Sequence, residues 1–287
     1  FKQKTAYEIR LSLVGSEMCI RDSYEARYIR ELAKKYKVQT QMGNQGHSSD
    51  EIRSLKEWID SGAIGKVREV FAWTDRPVGG KPWSTFAVKE KSKEKPIVPD
   101  NLNWDLWLGP AKYRDYHSDY HPTKWRAWMD FGTGSMGDMG CHILDPAFYA
   151  LELNAPYEIQ ATSPHWIPEI SSQTYPLASI VRMKFPKRKN HPELKLTWSD
   201  GRLLPPIPEE FGQNETFTPS GALIVGDKGK IIHNSHGASG LKIIPEKKMN
   251  QFKIPPKKIK RVSTNHHQDW ILSLIHISEP TRLRRIS

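Results

Sequence analysis

After Gly65 the chain returns again and again to one pattern. Short runs rich in Val, Ile, Leu, Phe and Thr are closed by Gly, Pro, Asn or Asp, and most are followed by another such run rather than by a helix. Residues 66–74, 157–162, 177–185 and 194–198 are of this kind, and residues 222–225 and 230–233 flank Gly226-Asp-Lys-Gly229 as the arms of a hairpin would. Strands that succeed one another without crossover helices pair mainly antiparallel, because parallel neighbours need a long connection. The pattern predicts an α/β chain, α+β in its larger part, with an open, largely antiparallel sheet and helices on one face. No internal repeat is visible.

Upstream of Gly65 the period changes. Tyr28, Ile29, Leu32, Ala33 and Tyr36 fall at helical spacing within residues 24–37, with charges on the other face. Val38, Thr40 and Met42 then alternate and stop at Gly43-Asn-Gln-Gly46, which predicts a short strand. Ser48 with Glu51 has the spacing of a capping box, opening a helix whose inner face is Ile52, Leu55 and Ile59 and which Gly62 ends. Residues 76–99, rich in Pro, Lys and Gly, predict a long loop. With 37% hydrophobic and 26% charged residues the composition is that of a globular protein. No apolar run approaches the ~18 to 20 residues of a spanning helix, so no membrane partner is expected. Cys19 and Cys141 alone make neither a disulfide framework nor a Cys-rich zinc site.

The two ends are related to each other as nucleic acid. Glu17-Met-Cys-Ile-Arg-Asp-Ser23 can be encoded by GAGATGTGTATAAGAGACAG, whose reverse complement reads Leu-Ser-Leu-Ile-His-Ile-Ser, the sequence of residues 272–278. Both segments resemble translations of a transposon-type sequencing adapter, so residues 1–23 and 272–287 are set aside as non-native. Setting them aside removes seven Lys/Arg and four Asp/Glu and lowers the formal charge from +11 to +8. Residues 247–261 still carry seven basic residues, but in a Pro-interrupted stretch without a nucleic-acid motif. A solvated loop is therefore expected there, and no nucleic-acid partner; a non-enzymatic basic binding module is the alternative.

The chemistry is concentrated in Asp130-Phe-Gly-Thr-Gly-Ser-Met-Gly-Asp-Met-Gly-Cys-His-Ile-Leu-Asp145. Gly132, Gly134 and Gly137 spell G-x-G-x-x-G, yet a dinucleotide fingerprint needs a buried strand before it, and Lys124-Trp-Arg-Ala-Trp-Met-Asp130 is not one. Asp138 and His142 are four residues apart and share a face if the stretch is helical; a carboxylate beside an imidazole fixes its tautomer and raises its basicity. Pro146 leaves a second possibility, a helix that begins at Asp145. A satisfied core histidine and a metal site of Asp138, His142 and Asp145 are the competing readings, and no metal is expected. Trp104, Trp107, Trp125 and Trp128 lie among Tyr113, Tyr116, His117, Tyr120, Lys124 and Arg126, a set that serves equally as a polyol pocket or as core.

Four segments in order carry a family resemblance: Val38-Gln-Thr-Gln-Met-Gly-Asn-Gln-Gly-His47, Gly62-Ala-Ile-Gly-Lys-Val-Arg-Glu-Val70, Asn103-Trp-Asp-Leu-Trp-Leu-Gly-Pro110 and Gly137-Asp-Met-Gly-Cys-His-Ile-Leu-Asp145. They resemble the Gfo/Idh/MocA group, the glucose-fructose oxidoreductase and inositol dehydrogenase relatives with the bacterial type of C-terminal domain. The resemblance implies an N-terminal Rossmann domain that binds NAD or NADP, of which residues 24–46 are a remnant, and a C-terminal substrate domain over residues 47–271. It implies His142 as acid/base on a sugar or polyol hydroxyl with Asp138 as its partner. It further places Asn44, Gln45 and His47 at the cofactor crevice and Lys124, Trp125 and Arg126 among the substrate contacts. The full-length relatives' pattern also implies a homo-oligomer, while NAD-assisted glycoside cleavage stays open as an alternative activity and localisation is undetermined. Glu94-Lys95-Pro96 spells the family's Glu-Lys-Pro motif between the wrong blocks and is taken as coincidence.

A Rossmann domain holds its pyrophosphate on a strand, Gly-rich turn and helix, and this sequence begins after that unit. The chain as written is therefore expected to be catalytically inert, with its two ends poorly packed. Calorimetric titration with NAD and with NADP is expected to show no micromolar binding; such binding would reinstate Gly132 to Gly137 as a dinucleotide site.

Overall fold

The computed structural model describes residues 23–90, 92, 94–109, 111–164, 167–188, 190–261 and 266–278. The chain opens with α1 (Ser23–Tyr36), α2 (Asp50–Asp60) and β1 (Val67–Thr74), then passes through a long loop segment to α3 (Trp104–Leu108), α4 (Gly134–Ile143) and α5 (Asp145–Ala150). There follow β2 (Glu158–Thr162), α6 (Pro168–Ser171), β3 (Ile180–Phe185), β4 (Leu194–Ser199), β5 (Ser220–Gly226), β6 (Gly229–Asn234), β7 (Lys242–Ile244), α7 (Glu246–Gln251) and α8 (His266–Ser278).

The strands form one open sheet in the order β2-β3-β4-β1-β5-β6-β7. Every pairing is antiparallel except that of β1 with β4, where Val70 faces Leu196 and Ala72 faces Trp198. Alternation then sorts the side chains by face. Val70, Ala72, Leu196, Trp198, Ile224 and Ile231 pack against Leu55, Trp58 and Ile59 of α2, Met139 and Ile143 of α4, and Ala147 and Ala150 of α5. Trp73, Leu223, Ile232 and Ile244 lie on the opposite face, covered by Phe211 and Phe217 rather than by a helix. The helices are on one face, as the strand pattern required.

Two local expectations are corrected, and one left open is decided. Residues 38–42 form no strand: Val38 and Met42 are 54% and 58% exposed, and no neighbouring strand supplies a ladder, the Val38 N–H bonding the Ala33 carbonyl and the Met42 carbonyl bonding His266 Nε2 instead. The cap of α2 is Ser49, one residue later than the capping-box spacing suggested; its Oγ accepts from the Ile52 N–H at 3.3 Å, while Ser48 Oγ bonds His266 Nδ1 at 2.8 Å. The aromatic set after residue 100 is mostly core. Trp104, Tyr120, Trp128 and Phe131 pack with Phe86 and Leu108 in a separate buried cluster. Residues 1–22 and 279–287 lie outside the described residues, whereas α8 continues through residues 272–278, which the sequence had set aside.

Part of the basic stretch is structural too. Glu57 of α2, 8% exposed, accepts from the backbone N–H groups of Lys258 (2.7 Å) and Ile259 (2.8 Å) and from Arg261 Nη2 (2.7 Å), while Lys257 pairs with Asp50 at 3.2 Å. The Arg261 guanidinium, helped by the two backbone donors against the cost of burial, holds the Glu57 carboxyl at about 2, below its ordinary 4.5. A depressed carboxyl stabilises the fold fully above the unfolded value and loses that contribution as pH falls. Glu57→Gln is therefore expected to destabilise the chain by about 3 kcal/mol near neutral pH, since it strands a buried arginine. In chemical denaturation the difference from the unsubstituted chain should shrink as pH is lowered from 4.5 toward 2.

Candidate active site

The segment that enters α4 explains the glycine run. A 3-10 turn at Lys124–Ala127 precedes it, not a strand. A Cβ on Gly132 would sit 2.6 Å from the Arg126 backbone, and Gly134, at φ +63°, has the Tyr175 ring where a side chain would go. These positions are glycine so that Arg126 and Tyr175 can come close, and they present no phosphate cradle. α4 ends at Ile143 and α5 begins at Asp145, so Asp138 and His142 do share a helix while Asp145-Pro146 starts the next.

Beside α4 is a cavity of about 330 Å³. Asn44 and Gln45 line it from the turn after residue 43, Trp125 and Arg126 from the 3-10 turn, Asp138 and His142 from α4, and Arg76 from the segment just after β1. Six of the eight side chains singled out in the sequence are thus brought together. The other two are not. His47 turns away to bond Asp145, with Nδ1 2.8 Å from one carboxylate oxygen and 3.0 Å from the other, and Lys124 pairs with Asp119 at 2.6 Å. Asp138 and Asp145 are paired with Arg76, Arg126 and His47, and among the described residues no group of three His, Cys, Asp or Glu side chains is placed to hold a metal ion.

Asp138 does not hydrogen-bond His142. One of its oxygens accepts from Arg76 Nη1 and the other from Arg126 Nε at 3.1 Å, so the expected Asp–His pair is replaced by a carboxylate bridging two guanidiniums. The reason is competition: both guanidiniums lie within reach of Asp138, and a carboxylate bridging two arginines is a stronger pairing than one with a neutral imidazole. His142 instead stacks on His236, with ring centroids 4.1 Å apart and planes at 27°. Its Nδ1 is buried and has no hydrogen-bond partner among the described residues. Burial, with His236 and Arg76 adding to it against Asp138, pushes the His142 imidazole down to about 4. Burial lowers His236 as well, and Arg76 acts in the same direction. His47 moves the opposite way, raised by its bond to Asp145. At neutral pH the cavity therefore holds a neutral imidazole, able to accept a proton, next to two fixed cations.

Arg76 and His236 were not identified from the sequence. Arg76 follows the strand pattern directly, in Thr74-Asp-Arg-Pro77, where a side chain at the carboxyl end of a central strand is well placed to enter a site; that signal was available. His236 lies in a turn 94 positions from His142, and nothing local marks it.

Residues 48–173 match the family model described as the oxidoreductase family C-terminal alpha/beta domain, of the Gfo/Idh/MocA type. This part of the chain is similar to that domain of the Gfo/Idh/MocA oxidoreductases. The matched segment contains Arg76, Arg126, Asp138 and His142, whereas Asn44, Gln45 and His236 lie outside it. No curated protein matches the chain. Among solved structures it is similar to an NAD binding oxidoreductase from Klebsiella pneumoniae (13% identity, 85% of this chain and 51% of that one, TM-score 0.45). It is also similar to an inositol dehydrogenase homolog from Azotobacter vinelandii complexed with NADH and myo-inositol (10%, 86% and 54%, 0.42) and to a super-repressor mutant of Gal80p from Saccharomyces cerevisiae (16%, 90% and 58%, 0.46). The chain spans about half the length of these structures.

The two histidines give a direct test of the electrostatics. In an NMR pH titration His142 is expected to titrate near 4 and His47 above 6.5. Between those limits the unfolded chain binds more protons at position 142 than the folded one, so the His142 contribution to stability should fall as pH drops from 6.5 to 4. A His142 midpoint near 6.5 would mean that its ring is solvated and unstacked.

Proposed function

We propose that the whole protein is a nicotinamide-dependent oxidoreductase acting on a sugar or polyol hydroxyl, with His142 as its acid/base. The observation that carries this reading is the cavity itself: a half-buried imidazole with a buried, unpartnered nitrogen, set among hydrogen-bonding side chains in a segment that matches the Gfo/Idh/MocA family model. His142 accepts the proton of the substrate hydroxyl. Asn44, Gln45 and Arg126 bind neighbouring oxygens, and Trp125, which carries the Arg126 guanidinium 4.5 Å over its ring, fixes that arginine's orientation. Asp138 is a positioning residue, holding Arg76 and Arg126 in place.

The described residues do not fit a whole dinucleotide. The turn before Gly132 is not a buried strand, the space above the glycines is occupied by Arg126, Tyr175 and Thr133, and about 330 Å³ is at the lower limit for a small-ligand pocket. In this reading NAD or NADP is held elsewhere in the whole protein, with Asn44 and Gln45 at the boundary.

In the whole protein His142→Ala is expected to lower turnover by about 100-fold or more, the usual scale for a general acid/base. Asp138→Asn should cost less in turnover and more in KM, since it loosens substrate contacts. Steady-state kinetics with parallel thermal melts check this. If both variants melt earlier yet keep their turnover, His142 is a structural histidine and the assignment fails.

A further inference from the structure

The charges of the cavity do not cancel. Asp138 is the carboxylate of the lining, and it faces two guanidiniums. The nearby Asp145 does not line the cavity and is turned to His47, whose Nδ1 is 2.8 Å from its carboxylate. Arg76 spends one N–H on Asp138; Arg126 spends Nε on Asp138 and Nη1 on the Thr123 carbonyl at 3.3 Å. The remaining N–H groups, Nε and Nη2 of Arg76 and Nη2 of Arg126, have no acceptor among the described residues and are not sealed from solvent. Both arginines are nonetheless largely buried, with side chains 16% and 25% exposed. Two largely buried cations on one anion, each offering an unused donor edge, leave one positive charge and a set of fork-shaped donors facing the cavity.

We propose that this cavity takes a sugar acid, a polyol ring bearing one carboxylate, and that the free edges of Arg76 and Arg126 clamp that carboxylate. The proposal rests on the reading of the cavity as a substrate site. A single negative charge matches the surplus, whereas a phosphate dianion would face Asp138 with an excess charge of its own. Asp138 bridges the guanidiniums, so they are oriented before the ligand arrives and lose little rotamer freedom on binding it. Specificity follows from the unpaired alternative. A neutral sugar leaves the donors without a charged acceptor in a partly dehydrated site, and a charge-assisted pair made or missed changes affinity by about 10- to 100-fold.

The test uses the full chain and D-glucuronate, with D-glucose as its neutral counterpart and glucose 6-phosphate as the phosphate control. Affinity is read by calorimetry, and occupancy of the cavity by the shift of the His142 ring resonances. Glucuronate is expected to bind at least about tenfold more tightly than glucose and to move the His142 signals. Arg126→Gln and Arg76→Gln should abolish that preference. Arg126→Lys, which keeps the charge and loses the fork, should reduce it and guards against misfolding of the neutral variants. Equal binding of glucose and glucuronate with a His142 shift overturns the carboxylate clamp and leaves the polyol site standing. Tighter binding of glucose 6-phosphate, or a glucuronate preference that survives all three substitutions, also overturns it. If none of the three ligands moves the His142 ring, the substrate-site reading falls with it.

Discussion

The Asp138 carboxylate joins three pieces of chain that are far apart in sequence: the exit of β1 through Arg76, the 3-10 turn through Arg126, and α4 through its own backbone. Without it two guanidiniums would face each other in a partly buried space, at a cost of several kcal/mol. The sheet makes the arrangement possible. β1 lies between β4 and β5, and α4 packs on the same sheet face as Val70 and Ala72, so apolar packing holds the strand end and the helix side by side. The hydrophobic face sets positions, and the ion pair uses them.

The sheet was legible in the sequence because alternation and turn residues are local signals, and the observed strands fall within a few residues of the expected runs. What was not legible is non-local. Residues 38–42 alternate like a strand, but alternation states only which side chains would share a face; a strand forms where a neighbour supplies hydrogen bonds, and the described residues supply none there. The parallel pairing of β1 with β4 and the short edge strand β7 likewise depend on contacts that no window of sequence contains. Ser49 in place of Ser48 is a smaller instance: both are good caps, and Ser49 Oγ also donates to the Gly237 carbonyl at 2.6 Å, a tertiary bond that decides between them.

At the site the same division holds. The four-residue spacing of Asp138 and His142 correctly put them on one helix, and the turn residues Asn44 and Gln45 do reach the same cavity. The partner of each was misjudged, because spacing gives proximity while competition gives pairing. Asp138 had two arginines available and took both; His142, left without its carboxylate, stacks on an imidazole from the loop after β6. The tryptophans show what composition leaves open. Trp104 and Trp128 are core, their indole N–H groups satisfied by the carbonyls of Arg114 and Asp119, and Trp125 alone of the four lines the cavity.

The arginines and the histidines are coupled through the field they share. Arg76 acts on both His142 and His236 in the direction that keeps them uncharged, reinforcing what burial does, whereas Asp138 acts against it. A ligand carboxylate seated on Arg76 and Arg126 adds a second anion to that balance and offsets the like-charge push on the imidazoles. Binding an acid would then raise the proton affinity of His142, and by linkage a protonated His142 would hold the acid more tightly. On the proposed reading, an imidazole whose proton affinity rises when a carboxylate occupies the neighbouring arginines would tie recognition to chemistry, and that coupling would require the arginines to be bridged by Asp138 rather than neutralised one by one.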